Sequence, residues 1–329
     1  MSVVEANASA IARAARLLRE GGIVAFPTET VYGLGADARN ADALRRMYAM
    51  KGRPADHPVI VHVDGLESAQ AWSSQMPEGA CALARAFWPG PLTLIVPRAH
   101  DVLDAITGGQ PSVGLRAPAH PVAHALLAAF GGGIAAPSAN RFGHVSPTTA
   151  RHVADDLGDA VGLILDGGPC AVGIESTIVA FTTDTPMLLR PGGVPVEAIA
   201  SVLGQAPIAR AATAPRASGT LASHYAPRTP ASLVAPDALI AELGQLEERD
   251  ERVAVLAVTA RRPDSFDGVW IGAPADATMY ARLLYANLRT LDAADADAIL
   301  IEQVPQTSAW RAVGDRLARA TSGETDDRD

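Results

Sequence analysis

The sequence predicts an α/β protein, with a mixed, twisted sheet and flanking helices in its N-terminal part and a smaller α/β domain after it. Three observations predict it. Short apolar runs of strand length alternate with segments of helical spacing. At 329 residues the chain exceeds most single cores, which favours two domains. A stretch rich in Pro, Ala, Ser and Thr at 206–230 interrupts the alternation once and reads as a linker. The expected organisation is a first domain over 1–205, the linker, a small domain over 231–320 and a disordered tail at 321–329.

Residues 8–20 place Ile11, Ala14, Ala15 and Leu18 at helical spacing, and Gly21-Gly22 ends that helix before the apolar run at 23–26. A second helix follows at 41–50. Strands are expected at 58–63, 92–96, 112–116, 133–136, 162–166 and 177–181, with helices at 77–87, 120–130 and 148–157 between them. Several strands lie too close in sequence for a purely parallel winding, hence the mixed sheet. Beyond the linker, strands at 253–259, 269–273 and 298–304 alternate with helices at 278–291 and 308–320. The small domain carries neither GxGxxG nor a Walker lysine motif, so nothing marks it as a phosphate binder.

Composition bounds the function. Apolar residues make up 48% of the chain and charged residues 19%, enough for packed cores. No apolar run reaches the roughly 18 residues that cross a bilayer, and the N-terminus lacks a basic-then-apolar signal. Two cysteines, Cys81 and Cys170, exclude a disulfide framework and a four-thiolate zinc site, so the cytoplasm is the expected compartment. The formal net charge of −9 has the wrong sign for a broad nucleic-acid face. The acidic excess gathers late in the chain, which leaves the early half as the place for an anion.

Five early segments bring hydroxyls and cations to strand ends. In PTETVYGLGADA (27–38) a buried strand opens into Thr28, Glu29, Thr30 and Tyr32, then a tight turn at Gly33-Leu34-Gly35. Such a strand end suits a zwitterion or a phosphate, and equally an ordinary turn. In KGRPADHPVIVHV (51–63), Lys51 and Arg53 could grip a triphosphate or merely complement a helix dipole. His62 lies inside a strand, where a histidine is commonly a satisfied core residue. In IAAPSANRFGHVSPTTARHV (134–153), Ser146-Pro147 reads as N-cap and first turn of a helix, a geometry that also aims N–H groups at an anion. PSVGLRAP adds Ser112 and Arg116, and GIESTIVA with LLRPGG adds Ser176 and Arg190.

Taken together, PTETVYGLGADA, KGRP…HP…VH, PSAN, SPT, EST and LRPGG, in this order over about residues 10–205, resemble the YrdC-like threonylcarbamoyl-AMP synthase family. The linker sequence SHYAPRTP and the small domain resemble its longer two-domain form. The resemblance implies a YrdC-like first domain and a Rossmann-like second one. It implies an enzyme that joins L-threonine, bicarbonate and ATP, with magnesium, into threonylcarbamoyl-adenylate and pyrophosphate, for modification of the adenosine beside the anticodon of tRNA. Carried onto this sequence, the family's catalytic tetrad falls on Lys51, Arg53, Ser138 and Asn140. ATP would touch Arg53, His57, Ser112, Ser138, Ser146, Arg190 and, from the linker, Tyr225, which could act as a lid. Threonine would touch Thr30, His62, Arg116, Ala136 through its backbone, and Ser176. Many members carry Asn at the place of His57 and Thr at the place of Ser112; both replacements keep a hydrogen-bonding group. The implied partners are tRNA or the downstream tRNA-modifying complex, with the chain a monomer or weak dimer. Two other functions remain in play. One is a structured-RNA-binding module without chemistry, which the negative charge disfavours. The other is carbamoyl transfer in hydrogenase maturation, whose zinc fingers two cysteines cannot build.

Overall fold

The computed structural model describes residues 3–211, 214–221 and 223–322. The chain divides into two compact units, Met1–Phe142 with Ser146–Thr220, and Gly143–Val145 with Leu221–Asp329. The linker stretch is therefore shared between them. The tail expected from residue 321 lies, from 323 onward, outside the described residues.

The strands of the first unit are β1 (Val3–Glu5), β2 (Val24–Phe26), β3 (Gly33–Asp37), β4 (Ile60–His62), β5 (Leu92–Pro97), β6 (Ser112–Arg116), β7 (Ile134–Ala135), β8 (Leu163–Asp166), β9 (Thr177–Ala180), β10 (Met187–Arg190) and β11 (Ile208–Ala209). They form one sheet in the order β1-β8-β2-β3-β7-β4-β6-β5-β9-β10-β11. The sheet is mixed, as the spacing predicts: β2 pairs with β8 parallel and with β3 antiparallel, and β6 pairs with β4 parallel and with β5 antiparallel. Alternate residues face opposite ways, so Val24 and Phe26 join one core cluster while Ala25 joins the other. Ile134 and Ala135 divide in the same manner. Covering both faces with apolar side chains is what makes these strands read as unbroken apolar runs.

Two local expectations are corrected. Gly33-Leu34-Gly35 is not a turn but the start of β3, and the chain bends at 29–31 instead. Glycine is required at 35 for packing: a Cβ there would lie 2.9 Å from the Phe26 ring and 3.0 Å from Cγ2 of Ile134. Ser146-Pro147 does not cap the next helix. Its N-cap is Thr149, whose hydroxyl accepts the His152 N–H at 3.2 Å, and the helix spans Ala150–Leu157. The edge strands β1 and β11 and the helix Val196–Leu203 were not legible in the sequence pattern.

In the second unit β12 (Ala231–Val234), β13 (Val253–Ala257), β14 (Trp270–Gly272) and β15 (Ala298–Glu302) form a sheet in the order β12-β15-β13-β14. Every pairing is parallel. Helices Leu239–Glu247, Ala277–Asp292 and Arg311–Ala320 accompany it, the arrangement expected of a Rossmann-like domain. Where such folds commonly seat a phosphate, after a central strand, this unit seats its own carboxylate. Glu302 accepts the N–H groups of Val258, Thr259 and Ala260 at 2.7–3.0 Å, and the Thr259 hydroxyl as well. Burial works to raise its pKa, but the Thr259 hydroxyl and the three N–H groups outweigh that and hold it below the ordinary range. A carboxyl depressed in the folded state stabilises above its unfolded pKa of about 4.5 and loses that contribution as pH falls through the folded value. Glu302→Gln should lower the second unit's stability at pH 7 by roughly 2–3 kcal/mol, since an amide N–H₂ would face donors. It should also flatten the acid side of the stability profile, which urea unfolding between pH 3 and pH 7 would measure.

Candidate active site

The helix Ala41–Lys51 stops because Gly52 takes a left-handed φ of 65°. Lys51 is buried at that end, and its Nζ donates to the Ser138 carbonyl at 2.6 Å and to the Asn140 carbonyl. One amine thus ties the helix end to the PSAN loop. Burial, then the charge of Arg53, pushes the Lys51 pKa well below the ordinary lysine range. Arg53 follows within two residues. Its Nη2 donates to the Pro58 carbonyl at 2.8 Å, and its guanidinium lies 5.6 Å from the Phe142 ring centre and 5.9 Å from that of Tyr48. His57 sets its ring edge against Phe142 at 5.3 Å, with burial lowering its pKa.

Arg190 ends β10. Its Nε and Nη2 donate to the Ser176 carbonyl at 3.1 and 3.0 Å, Nη2 also reaches Ser176 Oγ at 3.2 Å, and Nη1 donates to the Ser218 carbonyl at 2.8 Å. Ser218 in turn donates its hydroxyl to the Pro58 carbonyl at 2.8 Å and stands 3.4 Å from Arg53 Nη2. One serine therefore touches both guanidinium groups. Arg190 can lie this close to Ser176 because Gly192 has no Cβ: one there would be 2.3 Å from the Glu175 carbonyl and 2.4 Å from Thr177 N.

A second cationic centre lies at the end of β6. Arg116, only 4% exposed, donates from Nη2 to Glu29 Oε1 at 2.7 Å, from Nη1 to Thr30 Oγ1 at 2.9 Å and from Nε to the Gly90 carbonyl at 3.2 Å. Cross-strand register sets His62 beside Arg116 on one side and Ile134 on the other. Burial, then the charge of Arg116, pushes the His62 pKa down to about 3, so its ring is neutral. Its Nδ1 is buried with no hydrogen-bond partner. Ser176 Oγ shares a 2.7 Å hydrogen bond with Thr93, and so connects the Arg190 group to the centre of the sheet.

The remaining expected residues are placed as follows. Ser112 starts β6, four positions before Arg116, and lines a small recess with Ile60, Thr93, Ile95 and Ala217. Ser146 is buried and donates to Glu175 Oε1 at 2.8 Å. The Ala136 N–H is taken by the Ile60 carbonyl at 3.0 Å. Tyr225 belongs to the second unit, with φ 65°, its buried ring 5.3 Å from the Arg316 guanidinium and 5.7 Å from Tyr285. Sequence reasoning gave no role to Glu29, Glu175, Thr93 or Ser218, which hold the expected residues in place.

A mixed sheet whose strand ends converge buried Lys, Arg, Ser and Thr side chains defines a YrdC-like α/β domain. The family described as "Telomere recombination", which groups Sua5, YciO and YrdC, matches residues 16–192. That described as "Threonylcarbamoyl-AMP synthase, C-terminal domain" matches 194–322. The threonylcarbamoyl-AMP synthase of Bacillus subtilis is 40% identical over 327 residues, covering 96% of this chain and 94% of its own. That of Pyrococcus abyssi is 39% identical over 319 residues, covering 94% and 93%. The crystal structure of P. abyssi Sua5 complexed with L-threonine superposes with a TM-score of 0.88 at 38% identity, covering 94% of each chain. E. coli YciO matches 57% of this chain and 92% of its own, with a TM-score of 0.51 at 25% identity. The chain belongs to the threonylcarbamoyl-AMP synthase family, in its two-domain form.

The close approach at Gly192 is testable. Gly192→Ala should displace Ser176 and Arg190 at a stability cost of about 1–3 kcal/mol, visible as a lowered Tm. At temperatures where the variant stays folded, affinity for a nucleotide should drop by at least about tenfold.

Proposed function

We propose that the chain is an L-threonylcarbamoyladenylate synthase, a nucleotidyltransferase that converts L-threonine, bicarbonate and ATP into threonylcarbamoyl-AMP and pyrophosphate. The observation that carries this reading is the pairing of two cationic centres in one unit, Arg53 with Arg190 through Ser218, and Arg116 with Thr30. The reaction needs both. A carbamate oxygen, formed from the threonine amine and bicarbonate, must approach the α-phosphorus while pyrophosphate leaves in line, and both reactants are anions.

In this reading Lys51, Arg53, Ser138 and Asn140 form the catalytic tetrad, and Arg53, His57, Ser112, Ser138, Ser146 and Arg190 receive ATP. Ser218 holds the two arginines where phosphate oxygens would come, so nucleotide exchanges its oxygens for those of Ser218. Arg116 takes the threonine carboxylate, with Thr30, Ser176, the His62 Nδ1 and the Ala136 carbonyl around it. Tyr225 is assigned to ATP by the family motif alone. Magnesium would arrive on the nucleotide. The ion would be held by phosphate oxygens and water. Bound so, it would neutralise phosphate charge. The product would pass to the tRNA-modifying machinery in the cytoplasm. Among the described residues no helix is long and apolar enough to cross a membrane.

Pyrophosphate release assayed with threonine, bicarbonate, ATP and magnesium, each omitted in turn, tests the reading; release that ignores threonine defeats it. In the same assay Arg53→Lys keeps the charge but loses the planar fork. Its KM for ATP should rise about tenfold, with the KM for threonine changed less than about twofold.

A further inference from the structure

Glu29 is a buried carboxylate that the reaction does not call for. It lies in the bend between β2 and β3, in a pocket meant to receive another carboxylate, and only 8% of it is exposed. Both oxygens are used. Oε1 accepts from Arg116 Nη2 at 2.7 Å, and Oε2 accepts the Ala119 N–H at 3.0 Å, just beyond β6. Its backbone is fixed too, since its carbonyl accepts the Val172 N–H at 2.7 Å.

The neighbouring hydroxyls run in one direction. Thr28 donates its proton to the Val31 carbonyl at 2.7 Å, so in the 2.8 Å contact between Thr28 and Thr30 the donor is Thr30. Thr30 is thereby left to accept from Arg116 Nη1. Glu29, Thr30 and Gly90 each take one N–H from a different nitrogen of Arg116. A guanidinium carries five N–H donors in a rigid plane, so one remains on each terminal nitrogen. The plane cannot turn without breaking a bond to Glu29, Thr30 or Gly90.

We infer that Glu29 is a positioning residue for the amino-acid substrate. Acting through Arg116, it fixes the guanidinium plane so that the two remaining donors meet the substrate carboxylate, and so sets the preference for an α-amino acid over an amine without a carboxylate. This rests on the assignment of Arg116 to the threonine carboxylate. Neutralising the arginine has a second effect. Free anions such as chloride or phosphate gain little from a guanidinium already paired, whereas a carboxylate tethered to a correctly seated amine and hydroxyl still gains the two oriented bonds.

The test uses the full chain, with threoninol as the analogue lacking the carboxylate. Glu29→Gln keeps the shape and the bond from Arg116, but places an amide against the Ala119 N–H. The expected result is a KM for threonine raised about tenfold or more, an ATP KM within about twofold, and a threonine-to-threoninol preference narrowed by about tenfold. Glu29→Asp keeps the charge and should recover part of that preference; it carries the same readouts should Glu29→Gln fail to fold. A parallel fall in turnover with the preference intact would make Glu29 a mere brace and overturn the inference, as would unchanged kinetics. Arg116→Ala separates the two levels. If it leaves the threonine KM unchanged, the site assignment itself fails; if it raises that KM while the Glu29 variants do not, only the role of Glu29 fails.

Discussion

The first unit is organised around keeping cationic side chains out of water. Lys51, Arg53, Arg116 and Arg190 are all buried, and each is held by oxygens of its own chain: the carbonyls of Ser138, Asn140, Pro58, Gly90, Ser176 and Ser218, and one carboxylate, Glu29. A buried charge is costly unless its donors are satisfied. The loops that supply those oxygens must therefore come together, and this requirement fixes where the strands end. Lys51 joins residues 87 and 89 positions away, and Arg116 joins residues 86 and 87 positions away. The site and the tertiary fold are in this sense one set of contacts.

The same burial shapes the chemistry. Charges held in a low-dielectric pocket act more strongly on an incoming anion than surface charges do, and they need no reorganisation when it arrives. The depressed Lys51 pKa and the neutral His62 ring show how strongly the surroundings already act. In the proposed reading Arg53 with Arg190 would take the polyphosphate and Arg116, held by Glu29 and Thr30, the carboxylate, two anions that in water would repel. The second unit solves the opposite problem, placing its own Glu302 on the N–H groups that could otherwise hold a phosphate.

Much of this was legible in the sequence. Apolar runs mark most strands of the large sheet because both of its faces are covered, and 112–116 coincides with β6. Gly33 and Gly35 misled because glycine signals turns by its backbone, whereas here it serves close packing against Phe26. The strand Ala231–Val234 was hidden because it is a half-exposed edge of only four residues that directly follows the Pro- and Thr-rich stretch. Among the site residues, cations and hydroxyls stood out since an anion was sought. Glu29, Glu175 and Ser218 did not, because a group that positions a cation or a hydroxyl has no signature apart from its partner. The one available hint was a single carboxylate between two threonines in a stretch, 21–36, otherwise free of charge.

The central claim is that two anions bind the first unit together because its buried cations offset their repulsion. The direct measurement is the Kd of L-threonine by calorimetry, with and without a saturating non-hydrolysable ATP analogue and magnesium. The account predicts that threonine binds with the analogue present at least as tightly as without it. Mutual exclusion, with threonine affinity falling by more than about tenfold when the nucleotide site is filled, would contradict it.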